Sequence, residues 1–487
     1  MKLHLMKWSL AMGVALMGAA SLVRADGGDG GPLVDALVKK GLLNAQEGEE
    51  IRAEMLSDYT ATPGGFLSVG SSAVKGLKLY GDVRLRYEWD KRAINTGMTG
   101  SSAGGVVNDI QERNRNRFRV RLGAEYLFSD NFKAGVRLAT NGGGGDHNST
   151  NADFGTGAKS WPANNTVFVD LAYLTWTKAF DQDWLSMTAG RQLQPHNIVN
   201  GWTWDSDINP DGGSIKIGDF HPFCKDFTIG STHGIYVWGD QSTADNSYTS
   251  TSISGNALNT SSDPFLFVNQ LDMAYKFSPS WNLRVSPAFV NGAGDSSVRT
   301  NNNVNPGWSD PAAFDINYLN VFMVDASLDT PFFLDNSKGR FYGEYGVNLT
   351  GQEMAAHYRN PDGANSVGQD GRNQFFLLGY QISGGGTKGK GKGGWALDGT
   401  YAYYETYSWT GALIDSDWNG GSLNGAGFGL KASYNFTENI TGSVNWRHSG
   451  QIDNNVTDVT QVLPTAGVTK SDFSNTDLVQ VDLIWKF

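Results

Sequence analysis

The stretch Arg113-Asn-Arg-Asn-Arg-Phe-Arg-Val-Arg-Leu-Gly-Ala-Glu-Tyr-Leu-Phe128 decides the fold. Arg115, Arg117, Arg119 and Arg121 alternate with Asn116, Phe118, Val120 and Leu122, and Arg113 shares the arginine parity. A period of two is that of a β-strand with two unlike faces. One face is a ladder of guanidinium groups; the other runs apolar through Ala124, Tyr126 and Phe128. The chain repeats such strands without supplying helices to cover them, which points to a closed barrel with lipid outside and water inside. An arginine facing lipid at mid-bilayer costs about 2–4 kcal/mol, so five on one face would cost on the order of 10 kcal/mol. The ladder therefore faces the lumen.

Composition agrees. Of 487 residues, 62 are Gly, 12% are aromatic and only 18% are charged, and beyond the N-terminus no run approaches the roughly 18 apolar residues of a spanning helix. Lys2 and Lys7, the apolar run Trp8 to Leu22 and Val23-Arg24-Ala25 read as a signal peptide over 1–25. The single cysteine, Cys224, excludes an intramolecular disulfide. A net charge of −11 argues against a nucleic-acid partner. Residues 26–75 read as a periplasmic helical hairpin and linker. Pro32 to Gly41 forms the first helix, and Asn44 caps a second that runs to about Met55.

The barrel begins at Gly76. Its first strand sets Leu77, Leu79, Val83, Leu85, Tyr87 and Trp89 against Lys78, Asp82, Arg84, Arg86 and Glu88. The arginine strand and 132–140 follow, the latter carrying Lys133 and Arg137 on its polar face. Further strands are expected at 166–178, 184–192, 213–219, 226–238, 265–277, 281–290, 315–329, 340–350, 372–383, 395–407, 426–436, 440–449 and 475–487. The faces are clear in 426–436, with Lys431 inward, and in 475–487, with Gln480 and Asp482 inward; they are ambiguous in 166–178 and 372–383. The expectation is an all-β transmembrane antiparallel barrel of about sixteen strands. Short turns such as 129–131, 181–183, 278–280 and 437–439 alternate with long polar loops, among them 141–165, 239–264 and 408–425. One rim of turns and one of loops is the pattern of an outer-membrane barrel. The hairpin is too small for a plug, which leaves an open, water-filled lumen.

After the fifth strand, residues 191–213 carry Trp202, Trp204, Asp205, Asp207 and Asp211. Two tryptophans suggest that this loop packs against something. Folded inward, it would narrow the pore and set its carboxylates against Arg84, Arg86, Arg115, Arg117, Arg119, Arg121 and Arg137. Opposed charges across a constriction filter solutes by charge and dipole. The plainer alternative makes the three aspartates surface turn residues, and a calcium loop lacks the right spacing and the terminal Glu. Some arginines would pair with Glu88, Glu112 and Glu125; Lys78, Arg284 and Arg447 would add to a basic interior. The seven histidines are scattered, with no HExxH and no ligand spacing, so neither metal, cofactor nor catalytic residue is expected.

Gly81-Asp-Val-Arg-Leu-Arg-Tyr-Glu88, Arg117-Phe-Arg-Val-Arg-Leu-Gly-Ala-Glu125, Ala134-Gly-Val-Arg-Leu-Ala-Thr140, Ala172-Tyr-Leu-Thr-Trp176, Ala189-Gly-Arg-Gln192 and Trp204-Asp-Ser-Asp-Ile-Asn-Pro-Asp-Gly212 resemble the "putative porin" family of Gram-negative outer membranes. So does the Leu33 to Arg52 hairpin. The resemblance covers most of the chain. It implies a β-barrel in the outer membrane for passive diffusion of small hydrophilic solutes and, as in porins generally, a homotrimer. By the same analogy, terminal Phe487 is the signal read by the barrel-assembly machinery. Phosphate-selective porins share the arginine lining, but their lysine cluster has no match here. The sequence thus reads as an anion-biased porin. A non-porous structural or adhesive barrel is the second reading, and an outer-membrane enzyme the third.

Overall fold

The structure, a computed structural model, describes residues 76–94, 110–141, 151–154, 166–238, 264–294, 316–334, 336–353, 372–386, 389–421, 423–452 and 473–487. All lie in the second of the two units into which the chain divides, Phe66–Phe487. The expected signal peptide (1–25) and helical hairpin with linker (26–75) lie outside the described residues.

The strands are β1 (Leu77–Ile94), β2 (Ile110–Ser129), β3 (Phe132–Asn141), β4 (Ala152–Asp153), β5 (Thr166–Thr177), β6 (Leu185–Arg191), β7 (Asp211–Phe220), β8 (Phe227–Val237) and β9 (Phe265–Ser278). They continue as β10 (Trp281–Ala293), β11 (Asn320–Pro331), β12 (Lys338–Asn348), β13 (Gln374–Gly384), β14 (Trp395–Tyr404), β15 (Gly425–Asn435), β16 (Ile440–Gln451) and β17 (Phe473–Lys486). Apart from the two-residue β4, which lies on Arg117 and Phe118 of β2, sixteen long strands pair antiparallel with their neighbours. β1 pairs with β2 on one side and β17 on the other, so the sheet closes and leaves no edge. The seam is tied by Gly81 N–H to Phe487 O at 3.0 Å and by the reverse bond at 3.1 Å. A Cβ on Gly81 would sit 2.6 Å from the Phe487 ring and 2.4 Å from the Arg121 carbonyl, so only glycine fits there.

Alternation sets the faces. Asp82, Arg84, Arg86, Glu88 and Asp90 of β1 are buried in the lumen. Outside, Leu122, Val136, Leu174, Leu397, Leu430 and Val444 are each roughly half exposed, as an apolar band meeting lipid requires. Near the short turns Tyr126, Phe128, Phe132, Trp176 and Phe180 form a row of neighbouring rings, with centroids 6.3, 5.7, 5.4 and 4.6 Å apart. Such rows are the aromatic girdles of membrane barrels.

Both strands of ambiguous face have a physical reason for it. In β5 the register slips opposite Arg137 and Leu138, and Asp170 is the extra residue. A bulge re-aims side chains, and here Asp170 and its neighbour Leu171 are both buried. In β13 the lumen face is itself apolar. Phe375 and Leu377 are fully buried while Leu378 is 59% exposed on the other face. Their burial shows that part of the lumen is filled on this side. Segments 192–210 and 405–424 fold inward and build an apolar cluster against β8 to β14.

Candidate functional site

The arginine wall begins in the β1–β2 register, which sets Arg84 opposite Arg119 and Arg86 opposite Arg117. Like charges directly opposite destabilise a sheet. Carboxylates on neighbouring rungs offset this. Asp82 accepts from Arg119 at 2.9 Å and Arg121 at 2.7 Å. Glu88 accepts from Arg115 and, at 3.2 Å, from Arg117. Arg86 grips Asp482 of β17 with two bonds, of 2.7 and 2.9 Å. Arg137 binds the bulged Asp170 at 2.5 Å. Arg113 is the ladder's outlying member, with its side chain 60% exposed and its guanidinium 3.1 Å from Asp153. Glu112 and Glu125 do not join the ladder, against expectation. Glu112 accepts from the Trp89 indole at 3.0 Å; Glu125 accepts from Tyr173 at 2.6 Å and Lys133 at 3.4 Å. Arg84 differs from the rest. It donates to Asn151 at 2.5 Å, has no carboxylate partner among the described residues, and buries an Nε without a hydrogen bond.

Segment 192–210 packs across this wall. Trp202 stacks on Trp418 at 4.7 Å and lies under the Arg447 guanidinium at 5.0 Å. Gly429 makes room for it, since a Cβ there would sit 2.7 Å from the indole. Trp204 packs edge-on to Tyr236. Val199 N–H donates to Asp325 at 3.1 Å, and Thr203 donates to Glu344, so the loop hangs from β11 and β12. Its tip carries Asp205 and Asp207, and Arg119 reaches Asp207 at 3.4 Å. Asp211, expected in the same loop, instead opens β7 and is held by Arg191 at 2.6 Å, outside this cluster. A carboxylate that begins a strand takes its direction from the sheet register, and that register places Asp211 opposite Arg191.

Segment 405–424 corrects the expected polar loop at 408–425. Trp409, Ile414 and Trp418 are almost fully buried. The Trp409 indole donates to Thr203 O at 2.8 Å, and Asp205 N–H donates to Leu413 O at 2.7 Å. The two infolded segments are therefore one body. The second contributes Asp415, 2.6 Å from Arg447, and Asp417, 3.3 Å from Arg86 and 2.9 Å from the Gln480 amide. Neither aspartate was singled out from the sequence. The apolar residues Trp409, Leu413, Ile414 and Trp418 within a supposed polar loop were the available signal.

Where this body meets the arginine wall lies a cavity of about 150 Å³. Its charged lining is five cations (Arg84, Arg86, Arg119, Lys431, Arg447) and five acids (Asp205, Asp207, Asp415, Asp417, Asp482). Burial, and then the Asp415 and Asp207 carboxylates, pushes Asp205 well above the ordinary carboxylate range. Burial also opposes the charge of Asp207, but Arg119 and Arg84 outweigh it and hold the group below that range. A second cavity of about 380 Å³ adjoins, with Arg340, Gln381, Asp398, Lys431 and Asn445 in its wall. Among the described residues, no group of His, Cys, Asp and Glu is arranged to hold a metal ion.

A closed sixteen-stranded barrel with a lipid-facing band and a charged constriction inside defines a porin-type outer-membrane protein. The chain belongs to the family described as "Putative porin", whose model matches residues 45–310 and 318–487. No curated protein matches it. Solved structures similar to it include OmpF of Salmonella typhi in complex with daunomycin, at 13% identity and a TM-score of 0.40, covering 84% of this chain and 97% of that one. An anion-selective porin from Comamonas acidovorans matches at 12% identity and a TM-score of 0.41 over 84% and 99%. OprB of Pseudomonas putida matches at 10% and 0.46 over 85% and 94%. At these scores the likenesses carry no argument about solute or selectivity.

Proposed function

We propose that the protein is a passive-diffusion channel for small hydrophilic solutes with a weak preference for anions. The observation that carries this reading is the charge pattern of the constriction. Acids on the infolded body oppose cations on the wall, and such a transverse field sorts solutes by charge and dipole. Asp82 and Glu88 are each shared by two arginines, so the ladder keeps an excess of positive charge although most of its guanidinium groups touch a carboxylate. The preference rests on this excess, on the cations without carboxylate partners among the described residues, Arg84 and Lys431, and on the raised Asp205, which subtracts one negative charge while protonated.

The test is the reversal potential of the purified protein in a planar bilayer under a potassium chloride gradient. Anion preference is expected, reduced by Arg84→Gln and reduced less by Arg121→Gln, whose charge is partly offset by Asp82. Cation preference would overturn the bias, and absence of conductance would favour a non-porous barrel. Export by residues 1–25, recognition of Phe487 by the barrel-assembly machinery and assembly as a homotrimer belong to the same proposal. Native mass spectrometry reads the last of these, and a monomer mass would remove it.

A further inference from the structure

We propose that Lys431 docks the carboxylate of a small, hydroxyl-bearing monoanion on a polar track that winds down the inner wall below the constriction. The inference rests on the channel reading above and names its solute class.

The track follows from register. Gln480, Asn445, Lys431, Asp398, Gln381 and Arg340 are successive cross-strand partners from β17 to β12. Gln480 lies mid-strand in Phe473–Lys486, whereas Arg340 lies next to the short-turn end of Lys338–Asn348. Because barrel strands tilt, a row of partners climbs the wall instead of circling it. This row joins the constriction to the opposite rim and offers a hydrogen-bonding or charged side chain at every strand.

The two cavities meet on this track. Both are lined by Ser206, Asp415, Lys431, Asn445 and Arg447. Arg447 and Asp415 satisfy each other at 2.6 Å. Lys431 is exposed to the lumen and has no ion pair among the described residues. Its cross-strand partner Asp398 is occupied elsewhere, accepting from Tyr342 at 2.7 Å, Thr400 at 2.9 Å and Gln381 at 3.3 Å. An ammonium with open donors at the junction of the two cavities is a place for a ligand carboxylate. The space is lined by three cations (Arg340, Lys431, Arg447) and two acids (Asp398, Asp415), an excess of one positive charge that matches a monoanion. Gln381 and Asn445 each spend an amide N–H on a neighbour, Asp398 at 3.3 Å and Gln480 at 3.2 Å, so their carbonyl oxygens and the Ser433 hydroxyl are the groups that ligand hydroxyls would satisfy and an alkyl tail would not. The space of about 380 Å³ fits a molecule of sugar-acid size.

Calorimetric titration of the detergent-folded full chain with gluconate and with hexanoate tests the proposal. Both probes carry one carboxylate, and only the first carries hydroxyl groups. Gluconate is expected to bind about tenfold more tightly than hexanoate. Lys431→Gln should weaken gluconate about tenfold, with Lys431→Arg retaining most of the affinity. Asn445→Ala, on the next strand, should weaken it about threefold and keeps the test open if the lysine variant does not fold. Equal binding of the two probes, or unchanged gluconate affinity in both Lys431→Gln and Asn445→Ala, would overturn the site. Chloride conductance of the same preparation reads the channel separately. Conductance without gluconate binding defeats the site alone, and gluconate binding without conductance defeats the channel reading alone.

Discussion

The lumen has two walls built on opposite physics. On β1 and β2 most inward residues are arginines and acids, and apart from Arg84 these arginines are held in ion pairs whose members are mostly buried. From β8 to β14 many inward residues are apolar, and Leu266, Val268, Val321, Phe375 and Leu377 share one buried cluster with Trp202, Trp204, Trp409 and Trp418 of the infolded segments. The apolar wall holds those segments in place by area removed from water, which is non-directional. The charged wall holds nothing that way; it fixes positions by directed, charge-assisted bonds. The contrast separates two jobs. One wall seats the infolded body, and the other faces it with a rack of paired charges in which arginines outnumber acids.

The strongest way to break this comparison is to empty the seat. Trp409 is buried against Phe375 at a centroid distance of 5.7 Å. Trp409→Ala should cost about 3–5 kcal/mol of docking energy, as for large-to-small changes in cores. The 405–424 segment would then leave the lumen, and single-channel conductance should rise severalfold. Unchanged conductance would mean that the segment is held by its ion pairs instead. Next comes Glu88→Gln on the charged wall. Glu88 is fully buried, serves Arg115 and Arg117, and accepts from the Gln480 amide at 3.1 Å. Leaving those guanidinium groups without it should cost about 3 kcal/mol, the low end for a broken buried pair because Arg115 keeps contact with water. Urea unfolding in micelles reads the loss; a neutral result would demote the rack from scaffold to lining.

The charged wall was legible in the sequence and the apolar wall was not, for a reason of physics. Alternation is readable when the two faces differ in polarity, as Arg115 to Leu122 do. Where the lumen face must carry an apolar load, Phe375, Leu377 and Leu378 look alike, and parity gives no answer. The bulge at Asp170 defeats parity in a second way, by putting two successive residues inside. Short turns against long loops were readable from Ser, Asn and Asp clusters, but which loops fold inward is a tertiary fact. Trp202 and Trp204 mark 191–213 as a segment that packs, and Trp409 and Trp418 carry the same mark inside the polar loop 408–425.

A smaller effect distinguishes the walls by pH. His196 lies in the infolded segment on the apolar side, edge-on to Tyr236. Burial pushes it down to about 4 from an ordinary 6.5. The folded state therefore binds fewer protons than the unfolded one between those values. Docking is at full strength above pH 6.5 and weakens as pH falls toward 4, by about 1.4 kcal/mol per pH unit at most. Trp fluorescence of the folded protein should report this loosening, and His196→Asn should abolish it. A wild-type signal flat from 6.5 to 4 would mean that water reaches the imidazole.

The smallest effect lies at the contact of the two walls, where Asp205 and Asp207 share one loop tip. Asp207 faces the guanidinium groups and stays ionised; Asp205 faces Asp415 and the buried body, and its ionised form is disfavoured. The raised Asp205 binds its proton more tightly folded than unfolded. Its contribution to docking is therefore complete below the ordinary carboxylate value of 3.8 and is lost as pH rises through the folded pKa. The same ionisation adds one negative charge to a lining of five cations and five acids. Anion preference should fall slightly as pH rises through that point, with the reversal potential moving toward the cation side. Asp205→Asn should hold the potential constant over the same range while leaving the Asp207–Arg119 contact in place. If Asp205→Asn titrates like wild type, the proton belongs to another acid of the cavity. The near balance of charge would then be a property of the whole ring and not of one loop tip.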